Sequence, residues 1–268
     1  MYLSNRGFAW YGGKSHLVGK LISLLPDRYN TFVEVFGGGA ALLLHENKSN
    51  IRVYNDIDTD LFNLFSVIQD KNLFPSFLFN VNLILYSKLD FHYFKSIYKK
   101  VEDRVIRAAY FYFITLASVN HTTYGFARVR NRVINNMPDS VARYRSFLKR
   151  LENMHRALQG VIIENKSFEH IIPEYDAQDT LFYIDPPYIS ETRQKKYLYR
   201  KEMRINQHIA LSDLLQTIKG KVMLSGFDHP IYDKLKWRKI EIKVCKSSTV
   251  LCSKNKRNTK KEVIWLNY

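Results

Sequence analysis

The chain has 268 residues, 46% of them hydrophobic, and carries a net charge of +16 with a pI near 9.7. That length suits one large domain or one domain with a sizeable insertion, and the apolar content allows a substantial core. The two cysteines, Cys245 and Cys252, have no metal spacing and exclude a disulfide framework, no apolar signal core opens the chain, and no apolar run is long enough for a bilayer. The expectation is a protein of a reducing compartment, the cytoplasm, with a polyanionic partner rather than a membrane. Basic charge interleaved with 18 Tyr and 17 Phe suits nucleic acid, and a merely solubilising surface is the plainer alternative.

In chain order, Thr31 to Phe36 is rich in strand formers, Gly37-Gly38-Gly39 breaks the run, and Ala40 to Glu46 resumes with helix formers. "IRVYNDIDTDLFNLFSVI" repeats the pattern, a short strand to Asp56 and then a helix from about Asp58. "VIIENKSF", "DTLFYIDPPY" and "GKVMLSGF" read as three more strands, the last preceded by the helix "INQHIALSDLLQTIKG". "RKIEIKV" and "EVIWLNY" alternate as antiparallel closing strands. Strands alternating with helices predict an α/β fold around a mostly parallel sheet.

Residues 73–158 break this rhythm. "DFHYFKSIYKKVEDRVIRAAYFYFITLAS" and "VARYRSFLKRLENMHRAL" have helical spacing. Between them "NHTTYGFARVRNRVINN" reads as a loop with a short hairpin. The organisation expected is a helical insertion, 73–158, within a domain made of 1–72 and 159–268.

The glycine turn follows a strand, so its backbone can approach a ligand closely and a following helix would offer N–H groups to an anion. It does not fit G-x-G-x-x-G, because the third position falls on Leu42, and no Gly-Lys-Ser/Thr makes it a Walker motif. Asp56, roughly 20 residues on, stands where a carboxylate accepts from ribose hydroxyls. In "IDPPY" two prolines lock the backbone after a strand, Asp185 supplies an acceptor and Tyr188 a flat face. A stiff turn is one reading of it; a pocket for a planar base with an exocyclic amine is the other.

Together and in this order, "FAWYGGKSHL", "VEVFGGGAAL", "YNDID" and "DPPY" resemble the motifs of the Dam-like family of S-adenosylmethionine-dependent DNA adenine-N6 methyltransferases. The resemblance runs over nearly the whole chain. It implies a methyltransferase-type, Rossmann-like sheet with an antiparallel C-terminal edge and an inserted target-recognition unit. It implies cofactor contacts from Trp10, Lys14, Glu34, Phe36, Gly37, Gly38, Gly39, Asp56, Ser167, Phe168 and Asp185, with Ser167 standing where the family usually has aspartate. Asp185, Pro186, Pro187 and Tyr188 are the implied catalytic residues: the Asp185 carboxylate and Pro186 carbonyl accept the hydrogens of an adenine N6, and Tyr188 stacks on the base.

For DNA it implies Asn120, Tyr124, Phe126, Arg128, Arg130, Arg132 and Asn135 of the hairpin region, and Lys195 and Lys196 of the basic segment after the catalytic loop. Arg128 matches a family arginine that reads guanine, Phe126 a wedge beside the base step, and Tyr124 replaces an asparagine, so GATC-like specificity is an expectation with a departure in it. Ser225 and Gly226 match a motif near the target pocket. A restriction endonuclease is an expected partner, a monomer or weak dimer on DNA the expected state, and no metal site is expected. Cytosine-N4 methylation, RNA adenine methylation and a non-catalytic DNA-binding homologue remain the alternatives.

Overall fold

The computed structural model describes residues 5–128, 132–189, 200–245 and 259–268. Arg130, Lys195, Lys196 and most of the basic C-terminal run "CSKNKRNTKKE" lie outside the described residues.

A seven-stranded sheet has the order β5-β2-β1-β6-β7-β9-β8, from β1 (Thr31–Glu34), β2 (Ile51–Asn55), β5 (Val161–Glu164), β6 (Thr180–Ile184), β7 (Lys221–Gly226), β8 (Arg238–Cys245) and β9 (Thr259–Leu266). The run β5-β2-β1-β6-β7 is parallel, and β9 joins β7 and β8 antiparallel. The expected mostly parallel sheet with an antiparallel C-terminal edge is therefore present.

Alternate side chains along each strand serve opposite faces. Phe32, Tyr54, Leu181, Tyr183, Met223 and Ile264 enter one core, and Val33, Val53, Phe182, Ile184, Val222 and Trp265 enter the other. Both faces are covered, which is why the central strands read as continuous apolar runs. On the second face lie α8 (Phe168–Tyr175) and α9 (Ile205–Leu215), with the short α10 (Pro230–Asp233) beside α9.

The first face is covered by α2 (Thr59–Gln69) and by the chain between β2 and β5: α3 (Phe74–Leu83), α4 (Lys88–Ile97), α5 (Arg104–Leu116), α6 (Asp139–Leu148) and α7 (Leu151–Leu158). Phe91, Phe111, Tyr112, Phe113 and Tyr144 from these helices share one core with Phe32 and Tyr54 of the sheet. The long helical stretches of the sequence are each broken. A 3-10 turn at Tyr98–Lys100 ends the first, and Asp103 restarts it by accepting from the Val105 and Ile106 N–H groups. The second breaks at Lys149 and Arg150, between α6 and α7.

Another expectation changes at the glycine turn. Ala40 to Glu46 is a run of turns rather than a helix. Leu44 and Glu46 N–H still donate to the Ala40 and Leu42 carbonyls at 3.1 and 2.9 Å, and the buried Glu34 carboxylate caps the start of this coil by accepting from Leu43 N–H at 3.0 Å. The only regular helix ahead of β1 is the five-residue α1 (Val18–Ile22) among the described residues. No helix among the described residues is long and apolar enough to cross a membrane.

Candidate active site

Strand order reverses between β1 and β6, so the carboxyl ends of these neighbours open a crevice, the usual ligand position in an open parallel sheet. A cavity of about 540 Å³ lies there. Its lining includes Trp10, Lys14, Glu34, Phe36, Gly37, Gly38, Gly39, Asp56, Ser167, Phe168, Asp185, Pro186 and Pro187. Every residue expected at the cofactor is thus brought to one cavity from five separate stretches of chain.

The glycines are required by packing. A Cβ on Gly37 would stand 2.2 Å from Tyr54 Cε2, and one on Gly38 2.9 Å from Trp10 Cδ1. Gly38 also has φ +48°, in the left-handed region. Its N–H donates to Asp56 Oδ2 at 2.8 Å, and the Tyr54 hydroxyl donates to its carbonyl at 3.0 Å. The turn is therefore held on both sides by β2.

Asp56 Oδ1 accepts from Asp58 N–H at 2.8 Å, so each carboxylate oxygen has one donor and keeps a lone pair for another. Burial pushes Asp56 up to about 6, against the two backbone N–H donors. Buried Asn55 joins three loop ends: its amide donates to the Val35 and Lys166 carbonyls at 2.8 and 3.0 Å and accepts from Lys166 N–H at 2.9 Å. Lys166 to His170 close the cavity beyond β5. Phe168 is buried and stands 6.1 Å from the Phe36 ring. Ser167 is the N-cap of α8, and its hydroxyl lies 2.9 Å from His170 Nδ1. Glu34, beneath the turn, is pushed up to about 8 by burial, with the Leu43 and Leu42 N–H groups opposing.

At the end of β6 the charges concentrate. Lys14 Nζ lies 2.6 and 2.7 Å from the two Asp185 oxygens, and Ser225 Oγ donates to Asp185 Oδ1 at 2.8 Å. Lys14 is buried and also lies 3.3 Å from Glu262. Burial alone would lower the lysine, but Asp185 and Glu262 outweigh it and hold it above its ordinary value. Burial, aided by Glu262, raises Asp185, while Lys14 and Ser225 pull it back. Oδ2, with Lys14 as its donor, retains a second lone pair, and Asp185 is among the residues that line the cavity. Tyr188 is buried, with its ring 4.4 Å from Phe227, its hydroxyl donating to Glu262, and Lys14 Nζ 4.7 Å from the ring centroid.

Two residues here carry no motif. Arg200, across the cavity, pairs with Asp58 at 3.3 Å, bonds Asp60 and Tyr98, and lies 4.9 Å over the Phe111 ring. Asp58 Oδ2 and Arg200 Nη1, the two atoms of that 3.3 Å pair, are both buried, so the ion pair forms part of the cavity wall. Glu262 is the second. A charged residue within an alternating strand was its only sequence signal.

The expected DNA-facing residues that are described, Asn120, Tyr124, Phe126, Arg128, Arg132 and Asn135, lie elsewhere, between α5 and α6. Ser118 and Phe126 form an antiparallel bridge that closes a loop in which Asn120, His121 and Thr123 have φ of +53°, +59° and +64°. Tyr124 is 58% exposed, and Lys95 holds its carbonyl at 2.9 Å. Phe126 instead turns inward, 5.0 Å from Tyr86 and 5.5 Å from Phe91, so the ring expected as a wedge is packed in the insertion. Arg128 is exposed. The hairpin of β3 (Val133–Ile134) and β4 (Met137–Pro138) turns through Asn135 and Asn136, with φ +51° and +58°. Arg132 is exposed and lies 3.6 Å from Asp139, whose carboxylate Arg143 already holds.

Comparison with known proteins places this geometry. The D12 class N6 adenine-specific DNA methyltransferase family matches residues 10–244. The chain belongs to that family. It is an adenine-N6 DNA methyltransferase, an enzyme whose substrate is DNA and whose family implies S-adenosylmethionine as methyl donor. Among its relatives is the Type II methyltransferase M.CviBI of Paramecium bursaria Chlorella virus NC1A, 26% identical, over 84% of this chain and 85% of that one. The Type II methyltransferase M1.LlaDCHI of Lactococcus lactis subsp. cremoris is 27% identical, covering 84% and 82%. The DNA adenine methylase of Haemophilus influenzae is 24% identical, covering 90% and 87%.

Proposed function

We propose that this chain methylates N6 of an adenine rotated out of duplex DNA, with Asp185, Pro186, Pro187 and Tyr188 around the amine. S-adenosylmethionine, when bound, supplies a methyl group on a sulfonium that departs as a neutral thioether. The cavity suits it: Asp56 has lone pairs for ribose hydroxyls, Phe36 and Phe168 offer flat apolar walls, and the glycine turn lets backbone approach. Trp10, Lys14, Glu34 and Ser167 complete the holding set.

The chemistry belongs to the acceptors. An adenine N6 is a poor nucleophile because its lone pair is delocalised into the ring. Asp185 Oδ2 and the Pro186 carbonyl accept hydrogen bonds from its two N–H groups, which favours a tetrahedral nitrogen and matters most as positive charge develops there; after transfer the nitrogen keeps one hydrogen and releases the other as a proton. Lys14 and Ser225 fix the Asp185 carboxylate so that it need not reorganise. The prolines fix the Pro186 carbonyl, and positioning for in-line transfer supplies much of the remaining rate.

Rotating the base out of the duplex costs a few kcal/mol, which contacts to DNA must offset. We assign these to Asn120, Tyr124, Arg128, Arg132 and Asn135 with Phe126 beneath them, and to Arg130, Lys195 and Lys196. Arg128 is the proposed reader of a guanine, and a GATC-like site the proposed target. Residues 73–158 are the proposed recognition unit and 1–72 with 159–268 the catalytic unit. A cognate restriction endonuclease, a monomeric or weakly dimeric state on DNA and a cytoplasmic site of action complete the proposal, in line with the Type II relatives.

The observation that carries this reading is the Asp185 carboxylate, anchored by Lys14 and Ser225 at the mouth of the cavity. The test is transfer of labelled methyl from S-adenosylmethionine to duplex DNA by wild type and by Asp185→Ala, each checked for folding by thermal melting. We expect turnover in the first and its loss in the second. A folded Asp185→Ala with wild-type turnover would remove Asp185 from the mechanism.

A further inference from the structure

Glu262 takes no part in the reading above, yet β9 turns it into the site. Its side chain is 6% exposed. It accepts the Tyr188 hydroxyl and lies 3.3 Å from Lys14, which itself holds Asp185 and sits over the Tyr188 ring. Lys14, Glu262 and Tyr188 form a closed ring of contacts, with Asp185 attached through Lys14, and it joins the N-terminal segment, the loop after β6 and the last strand of the sheet in chain order.

A second carboxylate in a dry site is costly unless paired. Here one ammonium serves two carboxylates, so the ring carries a net negative charge. Had Lys14 only Asp185 to neutralise, that carboxylate would be a weaker acceptor for an incoming amine hydrogen. Tyr188 gains as well: two chain atoms tie it down, its backbone beside Pro187 and its hydroxyl at Glu262, which fixes the plane of the ring.

We infer that Glu262 is a positioning residue for methyl transfer, holding the Tyr188 ring through its hydroxyl and sharing Lys14 so that Asp185 keeps its strength as an acceptor. This rests on the proposal that Asp185 accepts from the target amine. The charged and titratable groups around Glu262 are Lys14 and His16 from the N-terminal segment, and Tyr183, Asp185 and Tyr188 from β6 and the loop after it. From β8 its register partner is the apolar Ile242, and Lys261 beside it in β9 pairs with Glu241 at 2.7 Å. Removing the Glu262 charge therefore leaves Asp185 with less repulsion and with Lys14 to itself, and its protonation moves to lower pH.

The test measures single-turnover methyl transfer to duplex DNA against pH, with wild type, Glu262→Gln and Tyr188→Phe, all checked by melting. In Glu262→Gln the plateau rate falls on the order of tenfold, the scale of one hydrogen bond in a transition state, while half-saturating S-adenosylmethionine changes by less than about twofold. The acid limb of its profile moves to lower pH. In Tyr188→Phe the rate falls similarly and the acid limb stays. Fluorescence of 2-aminopurine at the target position reports base rotation without turnover, and both variants give a weaker rise on binding DNA. A Glu262→Gln enzyme with the wild-type rate, or with its acid limb unmoved, overturns the inference. Should that variant fail to fold, a wild-type rate and wild-type fluorescence rise in Tyr188→Phe overturn it instead. Wild-type turnover in Asp185→Ala would overturn the underlying reading and this inference together, whereas wild-type behaviour in Glu262→Gln alone overturns only the inference.

Discussion

The carboxyl edge of the sheet and the segment between α5 and α6 use polar groups in opposite ways. At the sheet edge Glu34, Asn55, Lys14 and Glu262 are all buried and each is hydrogen-bonded or paired, Glu34 by the adjoining turn and the other three by partners distant in sequence. Between α5 and α6 Tyr124 and Arg128 are exposed, and backbone strain is concentrated in Asn120, His121, Thr123, Asn135 and Asn136. The first arrangement is fixed in advance, as the proposed reaction needs; the second leaves side chains exposed while a closed bridge and a tight hairpin keep their backbone in place, as the proposed DNA contact needs. The difference teaches that breaking a charge pair at the sheet edge should cost stability and activity together, and perturbing the proposed recognition segment should separate them.

The largest test of that coupling is Lys14→Met. It leaves Asp185 and Glu262 buried without their cation, and breaking a buried pair typically costs about 3–5 kcal/mol. Denaturant unfolding should show a loss of that order with methyl transfer abolished; wild-type stability would mean the pair is not formed in solution. Next is Glu34→Gln, which acts in the opposite direction. Glu34 titrates at about 8 in the fold against an ordinary 4.5, so between these values the folded chain holds a proton that the unfolded chain has released. Stability of the ligand-free wild type therefore falls as pH rises through that window. The glutamine variant keeps an acceptor for Leu43 N–H without the charge. It should be more stable than wild type above pH 8 by up to a few kcal/mol, with the gap closing near pH 4.5. A gap independent of pH would put the burial argument in error.

Gly37→Ala comes third. Its methyl would overlap the Tyr54 ring, and overpacking of this kind costs about 1–3 kcal/mol, together with weaker S-adenosylmethionine binding by calorimetry. Arg128→Ala should show the smallest stability effect, a melting temperature equal to wild type. Its effect should fall on one base position, where discrimination drops by about 1–3 kcal/mol in competition binding to sequence variants. Equal weakening at all sites would make Arg128 a phosphate contact, and a lowered melting temperature would erase the contrast between the two regions.

What the sequence made legible follows the same division. Short-range signals were sufficient for the strands: continuous apolar runs gave the buried parallel strands, and the alternation of "RKIEIKV" and "EVIWLNY" gave the antiparallel edge. "DPPY", the glycines and Asp56 each announce a special backbone or an acceptor, and the reversal of strand order brings them to one cavity. Features set by distant partners were not legible. In place of the helix expected after Gly39 there is a run of turns, capped by Glu34 at the Leu43 N–H. Phe126 faces inward because Tyr86 and Phe91, some 40 residues earlier, make a pocket for it. Glu262 stands in the sequence as one charge in an alternating strand, and its meaning depends on Lys14, near the other end of the given sequence.

The most direct test of the central claim, that the Lys14-anchored Asp185 presents an acceptor to an adenine amine, is nucleoside analysis of duplex DNA after reaction with methyl-labelled S-adenosylmethionine. The account predicts that wild type places all label in N6-methyladenine and that folded Asp185→Ala places none. Label in N4-methylcytosine, or N6-methyladenine formed equally well by Asp185→Ala, would contradict it.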